Sequence, residues 1–258
     1  LVINDEAHYV HDDELKWNES LLVIHKNIPG GLKMWVDFSA TPKTPENTYY
    51  PWIICDYPLA QAVEDRIVKV PLIVHSVNKK DPERITKDNV VQKYGDWISA
   101  ALARWKEHNE AYKGVKKKPV LFIMAEKNVF ADRIAESIAR RGTTYGINRD
   151  EIMVIHTDNS GDVRNSDLDN LREEARDVDN PKNKIKVIVS VLMLREGWDV
   201  QNVTIVLGLR AFDSAILPEQ AIGRGLRLMR DISPDRTQTL EVIGNDNFEK
   251  IVKQLELE

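Results

Sequence analysis

Short runs of apolar residues alternate with longer amphipathic segments along most of the chain. Several of the runs are nearly continuous Val, Ile and Leu, which is typical of strands buried on both faces of a parallel sheet. The predicted strands are Leu1–Asn4, Leu32–Phe38, Val120–Met124, Ile152–His156, Ile185–Val191, Val203–Leu207 and Thr239–Ile243. The alternation of strands with helical patterns predicts an α/β fold, with parallel sheets flanked by helices.

Among the predicted helices, three bear on the fold or on the candidate chemistry. Val129–Arg141 has apolar residues at every fourth position, and Asn89–Tyr112 has a similar stripe. That stripe contains Trp97, Ala101, Trp105 and His108. Pro218 suits a first helical turn, and Glu219–Met229 is predicted to continue from it.

The composition fits a folded protein with more than one domain. The chain has 258 residues, of which 42% are hydrophobic and 30% are charged, so whole-chain disorder is excluded. The basic run Lys116–Lys118 follows the helix at Asn89–Tyr112 and suggests a domain joint. We expect part of one domain at residues 1–76, a helical insert or linker at 77–118 and a complete second domain at 119–258.

The charge and the cysteine content limit the possible partners and the cellular compartment. The 36 basic and 41 acidic residues give a net charge of −5, which argues against a broad DNA-coating surface but allows a local basic groove. The single cysteine, Cys55, excludes an internal disulfide framework and suits a reducing compartment. No apolar stretch is long enough to cross a membrane, so we expect a cytoplasmic protein without a membrane partner.

Two acids directly follow the first predicted strand. Asp5 and Glu6 would lie at the carboxyl edge of a sheet, where α/β folds bind ligands. Phosphoryl chemistry uses one carboxylate to hold magnesium and a second to orient the attacking water, and these two residues fit those roles. Two acids in an ordinary loop explain the pattern about equally well.

Two further motifs also follow strands. Ser39 and Thr41 lie directly after the second predicted strand, where their hydroxyls can bond carboxylates or backbone, although a turn before Pro42 explains them as well. In the segment that follows the strand at Ile185–Val191, Gly197 permits a backbone turn two residues before Asp199.

The last motif combines arginines with glycines. On a continuous helix Gln220, Arg224 and Arg227 would share one face, and two guanidinium groups aimed the same way suit a triphosphate. Gly223 and Gly225 each cost a helix about 1 kcal/mol, which a close approach to another group would explain.

The ordered set of motifs resembles motifs II, III, V and VI of the superfamily 2 helicases, of the DEAH type. These are Asp-Glu-Ala-His at 5–8, Ser-Ala-Thr at 39–41, Glu-Gly-Trp-Asp at 196–199 and Gln-x-x-Gly-Arg-x-x-Arg at 220–227. More narrowly, the chain resembles the restriction subunit of type III restriction enzymes at Arg195–Val200, Gly208–Phe212, Glu219–Arg227, Leu240–Gly244 and Tyr57–Pro71. The resemblance covers nearly the whole chain and is weakest at Val77–Val115.

The resemblance implies an ATP-dependent DNA motor of two RecA-like lobes, of which the first is partial here. In such a motor Asp5 would hold Mg²⁺ through water and Glu6 would be the catalytic base of ATP hydrolysis. His8 would contact the second lobe near Gln220. Ser39 and Thr41 would couple hydrolysis to movement on DNA.

The second lobe would supply the remaining groups. Gly197 and Asp199 would lie beside the nucleotide, and Gly223 belongs to the last motif. Arg224 and Arg227 would be arginine fingers, and their spacing does not order them. Duplex DNA and a modification methyltransferase subunit are the implied partners.

One departure from the family pattern is informative. The chain contains no Gly-Lys pair, so the phosphate-binding loop of motif I is absent from it. We therefore expect a fragment that is inactive by itself. Two alternatives stay open, namely a non-catalytic interaction module and a related repair or remodelling helicase.

Overall fold

Two parallel sheets organise the part of the chain that the structure describes, one in each of two units. The computed structural model describes residues 1–5, 7, 16–40, 42, 48–74, 82–156, 177–191, 199–209, 222–245, 248–250 and 253. The first unit is Leu1–Asp56 and the second is Tyr57–Glu258.

The first unit contains two short strands and a helix between them in sequence. Strand β1 (Val2–Asn4) pairs in parallel with β2 (Trp35–Asp37), and helix α1 (Lys16–Asn27) lies between them along the chain. Leu21 of α1 packs against Ala7, which follows β1. Both strands lie where the sequence predicted them. The sequence analysis did not predict this helix, and Leu21 is its one buried residue.

The second unit contains a sheet whose described strands number six and run parallel. Their order is β3-β8-β7-β4-β6-β5. The limits are β3 (Val70–Ile73), β4 (Val120–Ala125), β5 (Ile152–Ile155), β6 (Val187–Ser190), β7 (Val203–Leu209) and β8 (Thr239–Ile243). Strands β4 to β8 confirm the predicted strands, and β8 has the predicted limits. This mixed α/β architecture confirms the predicted fold class.

Side chains of the central strand β4 alternate between two buried clusters. Leu121 and Ile123 face the cluster that contains the helices, whereas Phe122 and Met124 face the other cluster. The second cluster also contains Ile222, from the segment that includes the last sequence motif. Burial on both faces accounts for the continuous apolar runs that made these strands predictable.

Helices cover one face of this sheet. The predicted helix at Asn89–Tyr112 is divided at Tyr94 into α3 (Val90–Lys93) and α4 (Gly95–Tyr112). The predicted stripe is buried, and α4 packs against β7 and β4. Helix α5 (Asn128–Tyr145) confirms and extends the predicted Val129–Arg141. None of the helices in the described ranges is long and apolar enough to cross a bilayer.

The compact units divide the chain differently from the boundaries that we placed after residues 76 and 118. Helix α2 (Leu59–Glu64) belongs to the second unit, and β3 is an edge strand of its sheet through parallel pairing with β8. Pro71 is compatible with an edge position, because an edge strand has one side without a ladder partner. The helices at residues 90–112 contribute to the core of this unit.

Candidate functional site

Asp5 and Ser39 lie at the same edge of the first unit's sheet. Strands β1 and β2 are parallel with Asn4 opposite Asp37, so the residues after both strands lie at the carboxyl edge. The N–H of Phe38 donates to the carbonyl of Asn4 at 2.9 Å, which continues the pairing beyond β2. Asp5 is exposed and Ser39 is partly buried. The structure thus brings together the two predicted residues of this unit that it describes.

A carboxylate that the sequence analysis did not single out organises this edge. Asp37 Oδ1 accepts hydrogen bonds from Asn4 Nδ2 at 2.7 Å and from Trp35 Nε1 at 2.6 Å. Asn4 is buried, so its amide gains a partner that water would otherwise supply. These bonds fix the ends of β1 and β2 next to each other.

The carboxylate of Asp5 at this edge is of the type that holds a phosphate-bound magnesium ion. Within the described residues, no group of three or more His, Cys, Asp or Glu side chains could form a cage for a metal ion. Mg²⁺ bound with phosphates keeps several waters and needs only one or two protein carboxylates. The exposed Asp5 at a strand end meets that smaller requirement.

Five of the predicted site residues lie outside the described residues. They are Glu6, His8, Thr41, Gly197 and Gln220. Their roles remain predictions from the sequence.

In the second unit the structure joins two predicted residues from separate motifs. Arg227 Nη1 donates to Asp199 Oδ1 at 2.6 Å. The two side chains are 43% and 49% exposed, so the pair lies at the surface. Exposed ion pairs contribute about 0–1 kcal/mol to folding. Its stability contribution is therefore small, and both groups are accessible to a ligand.

The predicted helical face of the last motif needs a correction. The described helical residues are 222–225, and the helix does not continue to Met229 as predicted. Arg227 instead forms an antiparallel bridge with Val68, while the N–H of Lys69 donates to the carbonyl of Leu226 at 2.7 Å. This pairing competes with further helical turns, so Arg224 and Arg227 do not share a continuous helix face.

The two glycines of this motif have different surroundings. A Cβ added to Gly225 would lie 2.9 Å from Cδ2 of Leu240, whereas one added to Gly223 would meet no atom of the described residues within 4 Å. The close approach expected for this pair is therefore present at Gly225, where the helix packs on β8. Gly223 is exposed, and Arg224 beside it is partly buried.

Comparisons with known proteins identify the fold. No known family model and no curated protein matches the chain. Among solved structures, a fragment assigned to the HsdR subunit of a type I restriction enzyme from Vibrio vulnificus YJ016 matches 93% of this chain, at 18% identity and a TM-score of 0.54. Dbp5 of S. cerevisiae, bound to RNA and ADP BeF3, matches 99% at 15% identity and a TM-score of 0.51. The chain has a RecA-like fold, with a parallel sheet flanked by helices as in these structures.

The shared fold covers only part of each matched structure. The chain spans 44% of the Vibrio vulnificus fragment and 56% of Dbp5. Both structures lie below 20% identity to this chain, so the likeness shows the fold alone. The type III and DEAH assignments expected from the motifs are more specific than a likeness in fold can show.

Proposed function

We propose that the chain is part of an ATP-dependent motor that moves on duplex DNA, in the manner of a restriction subunit. The observation that carries the proposal is the ion pair between Asp199 and Arg227. It joins the two second-unit motifs that the helicase resemblance assigns to the nucleotide. The RecA-like fold supports the proposal independently of those motifs.

Each unit would supply a different part of ATP hydrolysis. In the first unit, Asp5 would hold Mg²⁺ through water and Glu6 would accept the proton of the attacking water. When bound, Mg²⁺ would neutralise charge on the phosphates. In the second unit, Arg224 and Arg227 would stabilise the negative charge that develops on the transferred phosphoryl group.

The exposed ion pair suggests how Arg227 is held when no triphosphate is bound. A carboxylate carries one negative charge, whereas a triphosphate carries several and offers oxygens in the geometry that a guanidinium recognises. Because the pair contributes only about 0–1 kcal/mol at its exposed position, phosphate oxygens can compete with Asp199 for Arg227. Asp199 would therefore keep Arg227 near the site rather than block it.

The resemblance to restriction subunits also implies which nucleic acid and which partner subunit the motor would bind. Translocation on duplex DNA would involve mainly phosphate contacts, since these carry no sequence information. A methyltransferase subunit would supply recognition of the DNA sequence. A non-catalytic interaction module is the alternative, and it predicts binding of nucleic acid without ATP turnover.

The test is ATP hydrolysis by the whole motor protein of which this chain is proposed to be a part, called the intact protein below. It is measured with and without duplex DNA and with RNA as a comparison. Arg227→Ala should reduce DNA-stimulated turnover by about 10³–10⁵, as removal of an arginine finger does. Arg133→Ala is the matched control, because Arg133 pairs with Glu136 at a similar exposure of 48% and 52% but lies on α5. Glu6→Gln should abolish turnover and retain nucleotide binding.

Three outcomes would count against the proposal. Wild-type protein that binds DNA without hydrolysing ATP would favour the interaction module. Stimulation by RNA and not by duplex DNA would reject the restriction-type assignment. A loss below about tenfold in Arg227→Ala, equivalent to about 1.4 kcal/mol of barrier, would remove Arg227 from the catalytic groups.

A further inference from the structure

A buried lysine lies beneath the turn that contains Arg227. Lys69 has no exposed surface, although it immediately precedes the edge strand β3. Lysine is almost never fully buried unless its charge is compensated, because moving an ammonium out of water is unfavourable. A lysine at this position therefore needs specific partners.

Three backbone carbonyls surround the ammonium of Lys69. Nζ donates to Val203 O at 2.5 Å, to Gln201 O at 2.6 Å and to Gly225 O at 3.0 Å. A lysine ammonium has three N–H donors and no acceptor, so the protonated group matches this set. Burial lowers the pKa of Lys69 to about 7, and the negative charge of Asp179 opposes that shift.

The three carbonyls belong to the two backbone segments that hold the ion pair. Gly225 ends the helical residues and lies two positions before Arg227, while Gln201 lies two positions after Asp199. The backbone N–H of Lys69 also donates to the carbonyl of Leu226 at 2.7 Å. One residue thus fixes both segments, through its side chain and through its backbone.

Asp179 holds the turn at residues 201–202 from another side. Its carboxylate accepts hydrogen bonds from the N–H of Gln201 at 2.7 Å and of Asn202 at 3.0 Å. Burial raises the pKa of Asp179 above its usual value, although these two N–H donors and the nearby Lys69 act to lower it. The turn is therefore held between an acid and a base that are both largely removed from solvent.

We propose that Lys69 is a positioning residue whose ammonium ties the end of the helix containing Arg224 to the turn that follows Asp199. By fixing these two backbone segments, it holds Arg227 at the distance from Asp199 that the ion pair requires. Because Lys69 is fully buried and its ammonium donates to three carbonyls, it would act on the reaction only through Arg227. The inference rests on the proposed function for its catalytic consequence, whereas the tie between the two segments is a property of this chain alone.

Hydrogen exchange tests the tie directly in this chain. Lys69→Met keeps the length of the side chain and removes the three donors. It should raise amide exchange at Gln201, Asn202, Leu226 and Arg227 by about tenfold or more relative to β4, because the buried carbonyls lose their partners. Lys118→Met is the matched control, since Lys118 is half-buried and donates to one carbonyl, that of Asn183. Equal changes at these amides and at β4 would overturn the proposal.

A second measurement needs no variant and so applies even if Lys69→Met does not fold. Nitrogen-15 spectra of the lysine ammonium groups should show the Lys69 protons exchanging with water far more slowly than those of Lys118. Similar exchange of the two ammonium groups would mean that Lys69 does not hold three carbonyls, and the proposal would fail.

ATP hydrolysis by the intact protein tests the catalytic consequence. Lys69→Met should lower kcat by about tenfold or more with little change in KM, because a displaced Arg227 affects the transition state more than substrate binding. Lys118→Met should change neither value. An unchanged kcat in Lys69→Met would overturn the positioning role. A wild-type protein without ATPase activity would refute the proposed function, and hydrogen exchange would still decide whether Lys69 ties the two segments.

Discussion

Neutralising Glu241 should destabilise the second unit in a pH-dependent way. Glu241 lies on β8 with its side chain 3% exposed. Arg104 donates to it through Nε at 2.7 Å and also through Nη2, and His108 Nε2 lies 3.0 Å from Oε1. Burial raises the pKa of Glu241, but the hydrogen bonds from Arg104 and His108 lower it by a larger amount. The resulting pKa is about 2.

The size of the effect follows from that pKa. The ordinary value is 4.5, and each pKa unit corresponds to about 1.4 kcal/mol, so the carboxylate contributes on the order of 3 kcal/mol. Because the folded pKa lies below the unfolded one, this contribution is present above about pH 4.5. It is lost as the pH falls towards 2. Arg104 is 39% exposed, so solvent screening makes 3 kcal/mol an upper figure.

The assay is urea or thermal unfolding of wild type and Glu241→Gln at several pH values. At pH 7 the variant should lose about 2–3 kcal/mol, or roughly 4–12 °C in Tm for a unit of this size. The difference should shrink below pH 4.5. Glu107→Gln is the control, because Glu107 pairs with the same arginine at 62% exposure and should cost less than about 1 kcal/mol. A pH-independent loss, or equal losses in both variants, would refute the reasoning.

Three glycine substitutions should have graded effects on stability, measured by urea unfolding. Gly142→Ala would place Cβ 1.8 Å from the backbone oxygen of Ile147, so the backbone must move and we expect a loss of about 3 kcal/mol or more. Gly225→Ala meets the end of the Leu240 side chain at 2.9 Å, and a loss of about 1–3 kcal/mol is expected. Gly223→Ala places its Cβ near no atom in the described part of the chain, so it should be neutral or stabilise by up to about 1 kcal/mol. Any other order of the three would contradict the packing described for these sites.

The central strands could be predicted from sequence because of their burial on both faces. In β4, every side chain is buried, which leaves a continuous apolar run. Strand β3 gave no such signal, since Lys69 and Pro71 interrupt its apolar residues. Its pairing with β8 joins residues about 170 positions apart, and local periodicity contains no information on such a pairing.

The candidate site could be predicted in its residue types but not in its contacts. The motifs identified Asp199 and Arg227 separately, and the structure adds their ion pair. The predicted helix face was wrong for Arg227 because the pairing of Val68 with this segment ends the helix, and Val68 lies far upstream. Lys69 was missed for the same reason, as its partners follow it by more than 130 positions.

The pairing of β3 with β8 has a consequence for synthesis of the protein on the ribosome. Of the six described strands of this sheet, β3 is made first and its neighbour β8 is made last. Until residues 239–243 leave the exit tunnel, β3 lacks the described strand with which it pairs. The apolar residues of β3 therefore stay without their sheet partner while the segment between β3 and β8 is translated. Chaperones would be most useful to the nascent chain during that period.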